Sequence, residues 1–152
     1  MTDLGAMLQL VRGSAIQKHY PLAILRTRIF PAIWLGQYRI LWHQGRPVGF
    51  YNWAWLDETL AERYRRTQCH VEPDQWVGGS CLWFMEMVHE PGQLRAVVRS
   101  MRTVVPAGTV ANWHEVSAIG EARRQVRQVR FRPAGASPLV FPPIRSERSA
   151  AS

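Results

Sequence analysis

PAIWLGQYRILWHQGRPVGFYNWAW, running from Pro31 to Trp55, is the stretch that decides the fold. Within it, Gln37 to His43 (QYRILWH) alternates bulky and polar residues, Gln44 to Pro47 (QGRP) carries turn residues, and Val48 to Leu56 (VGFYNWAWL) is again aromatic and apolar. Two apolar-rich runs joined by a short turn segment predict a β-hairpin. Upstream, Tyr20-Pro21 followed by LAILRTRIF predicts a helix over Pro21 to Phe30, because a proline at the first helical position loses no needed N–H. Pro31 is expected to end that helix.

Outward from the hairpin, helices and strands alternate. Leu4 to Val11 reads as a short amphipathic helix. Asp57 to Arg66 (DETLAERYRR) has an N-cap residue, acidic residues in its first turn and arginines in its last, which matches the helix dipole at both ends. His70 to Ser80 is a polar, Gly-containing connection. Leu82 to His89 (LWFMEMVH) is nearly continuously apolar, as expected of a central strand covered on both faces. Gly92 to Arg102 reads as helix and Thr109 to Val116 as strand. Gln125 to Arg132 (QVRQVRFR) is open between an edge strand and a helix end, because valine and arginine recur there at a spacing of three. This order predicts a single α/β domain over residues 1–132 with a mixed, mostly antiparallel sheet flanked by helices. Residues 133–152, rich in Pro, Ser and Ala, are expected to form a disordered tail.

The 152 residues suffice for one domain with a real core, and a 47% hydrophobic composition with seven Trp fits a folded protein. No apolar run reaches bilayer-spanning length, and the N-terminus lacks a basic segment followed by an apolar run and cleavage site. A cytoplasmic location is the expectation. The two cysteines, Cys69 and Cys81, are far apart and outside any Cys-x-x-Cys pattern, which fits a reduced compartment. The net charge is +8, and Lys18 is the one lysine among nineteen basic residues. Such a balance attracts acidic partners: nucleic acid, anionic lipid or an acidic protein. A solvated arginine-rich surface is the competing explanation.

The hairpin and its flanks carry a family resemblance. Ser14, Tyr20-Pro21, Pro31-Ala32-Ile33, Leu35-Gly36-Gln37-Tyr38, Arg46-Pro47-Val48 and Trp53-Ala54 fall, without gaps, where the RTX toxin-activating lysine acyltransferases have matching residues. Trp83-Phe84-Met85-Glu86 resembles the family's Trp-hydrophobic-hydrophobic-Asp strand, and Arg99 to Glu115 resembles its later helix, turn and strand. The likeness covers roughly three quarters of the chain, with Leu35 to Trp55 its most specific part. It implies a fold similar to the GNAT acetyltransferases, in which acyl donor and acceptor meet where two strands splay. It also implies an activity: moving a fatty acyl chain from acyl-acyl carrier protein, which is acidic, to internal lysines of a partner protein. Acyl-acyl carrier protein enters as donor substrate and no further cofactor is implied; a homodimer is expected from the resemblance alone.

Lysine acylation needs a base, because the ε-amine is protonated at neutral pH and an imidazole is the usual group to deprotonate it. The family uses a His before the aromatic-Pro pair and an Asp on the central strand. The Asp position is Glu86, a carboxylate one methylene longer that can still stabilise an imidazolium and orient it. The His position falls on Gln17, and the nearby histidine is His19. Along a helix, two residues turn a side chain by about 200°. Before a proline the backbone avoids helical geometry, and His19 then reaches the same cleft by a local shift. His19 as base and Glu86 as its carboxylate partner are the expected catalytic pair.

Each candidate has a structural alternative. Glu86, expected to share a strand face with Phe84 and Val88, would pair structurally with an arginine. His89, His114, His43 and His70 are more commonly structural than catalytic, and His89 is expected on the face opposite Glu86. Alternation places Tyr51, Trp53 and Trp55 on one face, with Asn52 on the other; those aromatics are core, or else line an acyl channel. Cys69-His70 and Cys81 with His89 lack compact zinc-site spacing, so no metal is expected, and Gly78-Gly79 alone is no phosphate loop. Besides the acyltransferase, two other functions remain in play. One is a catalytically lapsed binding domain of the same fold, favoured by Gln17. The other is nucleic-acid binding, which would fall steeply with salt.

Overall fold

A six-stranded sheet in the order β1-β2-β3-β4-β5-β6 organises the chain. The computed structural model describes residues 1–14, 17, 22–115, 125–132 and 139–140. The strands are β1 (Tyr38–His43), β2 (Arg46–Leu56), β3 (Cys81–His89), β4 (Val110–Glu115), β5 (Gln125–Arg130) and β6 (Leu139–Val140). Every neighbouring pair is antiparallel except β3 with β4. The expected mixed, mostly antiparallel α/β architecture is therefore the one observed.

The hairpin forms as its alternation dictates, but its turn is tighter than the four residues expected. Gln44 and Gly45 alone make it, both with positive φ, 49° and 73°, the left-handed pair whose twist suits a two-residue hairpin. Arg46 and Pro47 already belong to β2. Pro47 is accommodated because the register slips between Leu41 and Trp42, and an irregularity in the ladder is where a strand tolerates a residue without an N–H.

Helix α1 (Asp3–Gly13) is capped by Thr2, whose side chain accepts from the Gly5 N–H. Pro31 does not end the second helix. A π-helix, Leu25–Ile29, runs directly into α2 (Phe30–Leu35), with Pro31 at the start of α2. Proline has no N–H to give the preceding turn. The Phe30 N–H bonds back to Leu25 O, while the Thr27 hydroxyl donates to Ala23 O at 3.2 Å. Pro21, the expected start of this helix, lies outside the described residues.

Helix α3 (Glu58–Thr67) starts where expected: Asp57 Oδ1 accepts from the Leu60 N–H at 2.8 Å. A short 3-10 turn, Pro73–Trp76, interrupts the connection that follows. Gly79 then passes so close to β2 that a Cβ there would lie 2.0 Å from the Leu56 carbonyl carbon. Packing accounts for that glycine. Helix α4 (Leu94–Val104) follows β3. The Gln125 to Arg132 ambiguity resolves as strand β5, flanked on both sides because β6 pairs with Val129 and Arg130. Apart from Leu139 and Val140, the expected tail lies outside the described residues.

The sheet has an apolar layer on each face. On one side, Leu60 and Tyr64 of α3 pack on Ala54, Trp83 and Met85, and beside them Met7 and Leu10 of α1 pack on Ile29, Phe50 and Val88. On the other, Val97 and Met101 of α4 cover Tyr51, Leu82, Phe84 and Ala111. Tyr51, Trp53 and Trp55 share that second face and belong to its core, as alternation expected.

Candidate active site

Strand β3 changes character halfway along. Up to Phe84 it is paired on both sides: Leu82, Trp83 and Phe84 lie opposite Ala111, Asn112 and Trp113 of β4 in parallel register. Beyond Phe84 the β4 pairing stops, while β2 stays paired as far as His89. At the same point the β2 register jumps from Trp53–Phe84 to Asn52–Glu86, leaving Met85 as an extra residue. Such a bulge bends the strand and re-aims side chains, and bulges are over-represented next to functional sites.

The re-aiming corrects the strand-face expectation for Glu86. Leu82 and Phe84 face α4, and so does Met87. Met85 packs on the α3 side, and Glu86, after it, points to the same side of the sheet, toward the π-helix. Phe84 is therefore on the opposite face; Val88, packed against Met7 and Ile29, shares the side of Glu86.

Three side chains meet around the bulge. Glu86 is 6% exposed and accepts from Arg28 Nη1 at 2.9 Å through Oε1. Arg28 also reaches Met85 O at 3.4 Å. Asn52, fully buried on β2, accepts from the Glu86 N–H at 2.8 Å and donates to Arg28 O at 2.8 Å. This one amide thus ties the bulge to the π-helix. Burial pushes the Glu86 carboxyl above its ordinary value, outweighing the opposing charge and hydrogen bond of Arg28. The structural alternative for Glu86, an arginine partner, is realised, but it leaves Oε2 without a hydrogen bond from any described residue.

A cavity of about 100 Å³ adjoins this cluster. Among the described residues its walls are Leu8 and Val11 of α1 and Leu22, Ile24, Leu25 and Ile29 along the π-helical segment, with Glu86 the one polar liner. Exposure runs from 83% at Leu22 and 37% at Leu8 to 2% at Ile29, so the cavity has a solvent-facing rim and a buried floor.

His19 lies outside the described residues. Gln17 is described, and it sits at the site: its Nε2 donates to Met87 O at 3.4 Å, immediately after Glu86 in β3. Ser14 closes α1 and hydrogen-bonds Gln17, donating from its hydroxyl to Oε1 and accepting from the Gln17 N–H. The position that the resemblance gives to the family's His is therefore held against the Glu86 strand. The other histidines are placed structurally. His114 Nε2 donates to Tyr64 O at 3.0 Å, and its ring lies 5.1 Å from that of Trp83. His89 Nδ1 is 3.0 Å from Glu90 O, and its Cβ lies by Gly49 and Val97 on the α4 side, the face opposite Glu86. His70 pairs with Glu72 near the surface, and His43 is exposed at the end of β1. Among the described residues, no three His, Cys, Asp or Glu side chains gather as metal ligands, and no helix is long and apolar enough to cross a membrane.

Sequence reasoning missed Arg28 and Asn52. Arg28 gave no signal among its neighbouring arginines. Asn52 did: one amide in an otherwise aromatic strand has to satisfy its polar atoms in the core.

Comparison with known proteins finds similar sequences among lysine acyltransferases. The RtxC protein-lysine myristoyltransferase of Kingella kingae is 25% identical over 107 residues, 70% of this chain and 64% of that protein. The RTX-I toxin-activating lysine-acyltransferase ApxIC of Actinobacillus pleuropneumoniae is 29% identical over 103 residues, 68% of this chain and 60% of its own length. For the RtxC lysine-acyltransferase of Vibrio cholerae the identity is 29% over 100 residues, 65% of either chain. The matched part spans less than two thirds of the length of each of these relatives. The sequence model of HlyC, the RTX toxin acyltransferase family, matches residues 1–130, and the chain accordingly belongs to the RTX toxin acyltransferase family.

Proposed function

We propose that this chain is a protein-lysine acyltransferase of the toxin-activating type, moving a fatty acyl group from acyl-acyl carrier protein to the ε-amine of a lysine in a partner protein in the cytoplasm. The observation that carries the reading is the family match over residues 1–130, supported by a buried, half-satisfied carboxylate at Glu86, the position that the sequence resemblance gives to the family's Asp. The relatives' own names, lysine-acyltransferase and protein-lysine myristoyltransferase, supply the reaction class.

In this reading His19 takes a proton from the substrate ammonium, and Glu86 steadies the imidazolium through its carboxylate. The freed amine adds to the thioester carbonyl, whose oxygen is polarised by backbone amides of β3. Collapse expels the thiolate, which takes its proton from the imidazolium, and the second proton left on the nitrogen passes to the imidazole so freed and from it to water, leaving the neutral amide. The parting of β3 from β4 after Phe84 is compatible with a GNAT-like cleft for the thioester.

Charge supports an acidic donor. On α3, Arg65 and Arg66 pair with Glu62. On α4, Arg95, Arg99 and Arg102 recur at helical spacing with no acidic residue on the helix, and none of the three has an ion-pair partner among the described residues. An uncompensated basic strip on the helix after β3 suits a strongly acidic carrier.

The test is thioester discharge: purified protein, acyl-acyl carrier protein and an extract of the host, with protein acylation followed by mass spectrometry against His19→Ala. Lysine acylation that disappears with His19→Ala is the expected result. Carrier binding without any transfer would instead identify a lapsed binding domain.

A further inference from the structure

We propose that the cavity between α1 and the π-helix is the acceptor subsite, taking a primary ammonium on a short unbranched alkyl stem, with the ammonium on Glu86 Oε2 and the stem against Val11, Leu25 and Ile29. The proposal rests on the acyl-transfer reading and adds where the amine sits and what limits its stem.

Three observations converge on it. Among the described residues the cavity walls are aliphatic, and the single polar group lining them is a carboxylate. That carboxylate is nearly fully buried and has one oxygen held by Arg28, the other receiving no hydrogen bond from a described residue. The exposure gradient, from Leu22 and Leu8 at the rim to Ile29 at the floor, gives the site a direction of entry.

An anion in such a place selects its ligand by charge and shape together. A buried charge is costly unless paired and hydrogen-bonded, and one Arg28 contact does not hold the Glu86 carboxyl at its ordinary value. An ammonium brings three donors and a full charge to the vacant oxygen. Its methylenes would cover the aliphatic walls, as lysine stems do on apolar surfaces. The volume of about 100 Å³ is smaller than the roughly 150 Å³ apolar cavity that holds a benzene. It has room for a few carbons and none for a fatty chain, whose hydrocarbon would in any case have to desolvate the carboxylate. The acyl group belongs elsewhere.

The test titrates the full chain, labelled with 15N, with n-butylammonium and separately with n-butanol, in the absence of any acyl donor. Saturable shifts in the amides of Val11, Leu25 and Glu86 are expected with the amine, and binding at least about tenfold weaker with the alcohol. Glu86→Gln is expected to remove that preference, weakening the amine about tenfold or more while leaving the alcohol unchanged. Val11→Phe, which fills the cavity without touching the charged pair, is expected to abolish both. Equal binding of amine and alcohol, amine binding unchanged in Glu86→Gln, or amine binding that survives Val11→Phe would overturn the proposal. Should Glu86→Gln fail to fold, the amine–alcohol comparison and Val11→Phe decide. Because no donor is present, amine binding without acyl transfer in the discharge assay counts against the acyltransferase reading alone, and transfer without amine binding here counts against the subsite alone.

Discussion

The two halves of β3 are built from similar residues and do different work. From Cys81 to Phe84 the strand is paired on both sides and its side chains end in two apolar layers. From Met85 to His89 it is paired, among the described strands, with β2 alone, carries the bulge, and presents a carboxylate to a charged partner and a cavity. The difference comes from the edge of the ladder. Where both neighbours hydrogen-bond the strand, only side-chain alternation is available; where one neighbour leaves, an extra residue fits and a polar side chain is turned toward a helix. Packing dominates the first half, and the proposed chemistry lies in the second.

The largest effect expected from that division is at Trp83. It is 2% exposed and packs edge-on against Tyr64, with ring centroids 5.1 Å apart. Trp83→Ala should cost about 3–5 kcal/mol in denaturant unfolding, and a loss below about 1 kcal/mol would place the packing weight elsewhere. Next is Glu86→Gln. Acyl transfer should fall by about a hundredfold or more, the scale of a positioned proton-transfer group, while unfolding free energy changes little, because a neutral amide is easier to bury than a carboxylate. Normal transfer would remove Glu86 from the mechanism, and a large stability loss would make it a scaffold residue like Trp83.

Asn52 stands between the halves. Asn52→Leu deprives the Glu86 N–H and the Arg28 carbonyl of their partners, and about 2 kcal/mol of stability should be lost. Transfer by the protein that remains folded should fall as well, since the bulge and the π-helix are no longer tied. Stability lost with full activity retained would show that Arg28 and Glu86 find each other without Asn52.

The smallest effect is in pH. Because burial raises the Glu86 carboxyl above its ordinary 4.5, the folded state holds this proton more readily than the unfolded chain. The stability linked to it is present below the ordinary value and is lost as pH rises through the raised one. Unfolding midpoints of wild type and Glu86→Gln measured upward from pH 4 should diverge in that direction, with the flatter profile in the variant. Parallel profiles would mean that Arg28 fully compensates the carboxylate.

How far the site was legible follows from sequence separation. The hairpin, the Asp57 cap and the apolar run of β3 are each read over a few neighbouring residues, and each formed, the turn closing on Gln44 and Gly45 rather than on the four residues expected. The Glu86 position was legible through the motif that begins at Trp83. Its orientation was not. Strict alternation placed Phe84 beside it, and the bulge that cancels the alternation exists only against the register of β2. Arg28 lies 58 residues from Glu86 and Asn52 lies 34 from it, and no local pattern encodes such a meeting. Pro31 was misread for a related reason. A proline forbids one hydrogen bond, and a chain held by packing through Ile29 and Ala32 answered with a π-helix where the local rule expected an end.

By itself, then, the amino-acid order determined the succession of helices and strands, the hairpin and the family, because periodicity, capping and turn chemistry act between near neighbours. The tertiary structure alone decided which face Glu86 occupies, that Arg28 and Asn52 surround it, that Gln17 lies against its strand and that an aliphatic cavity opens beside it. Those features depend on strand register and on contacts between distant segments, and such contacts come into being only when the sheet closes and the helices are laid upon it.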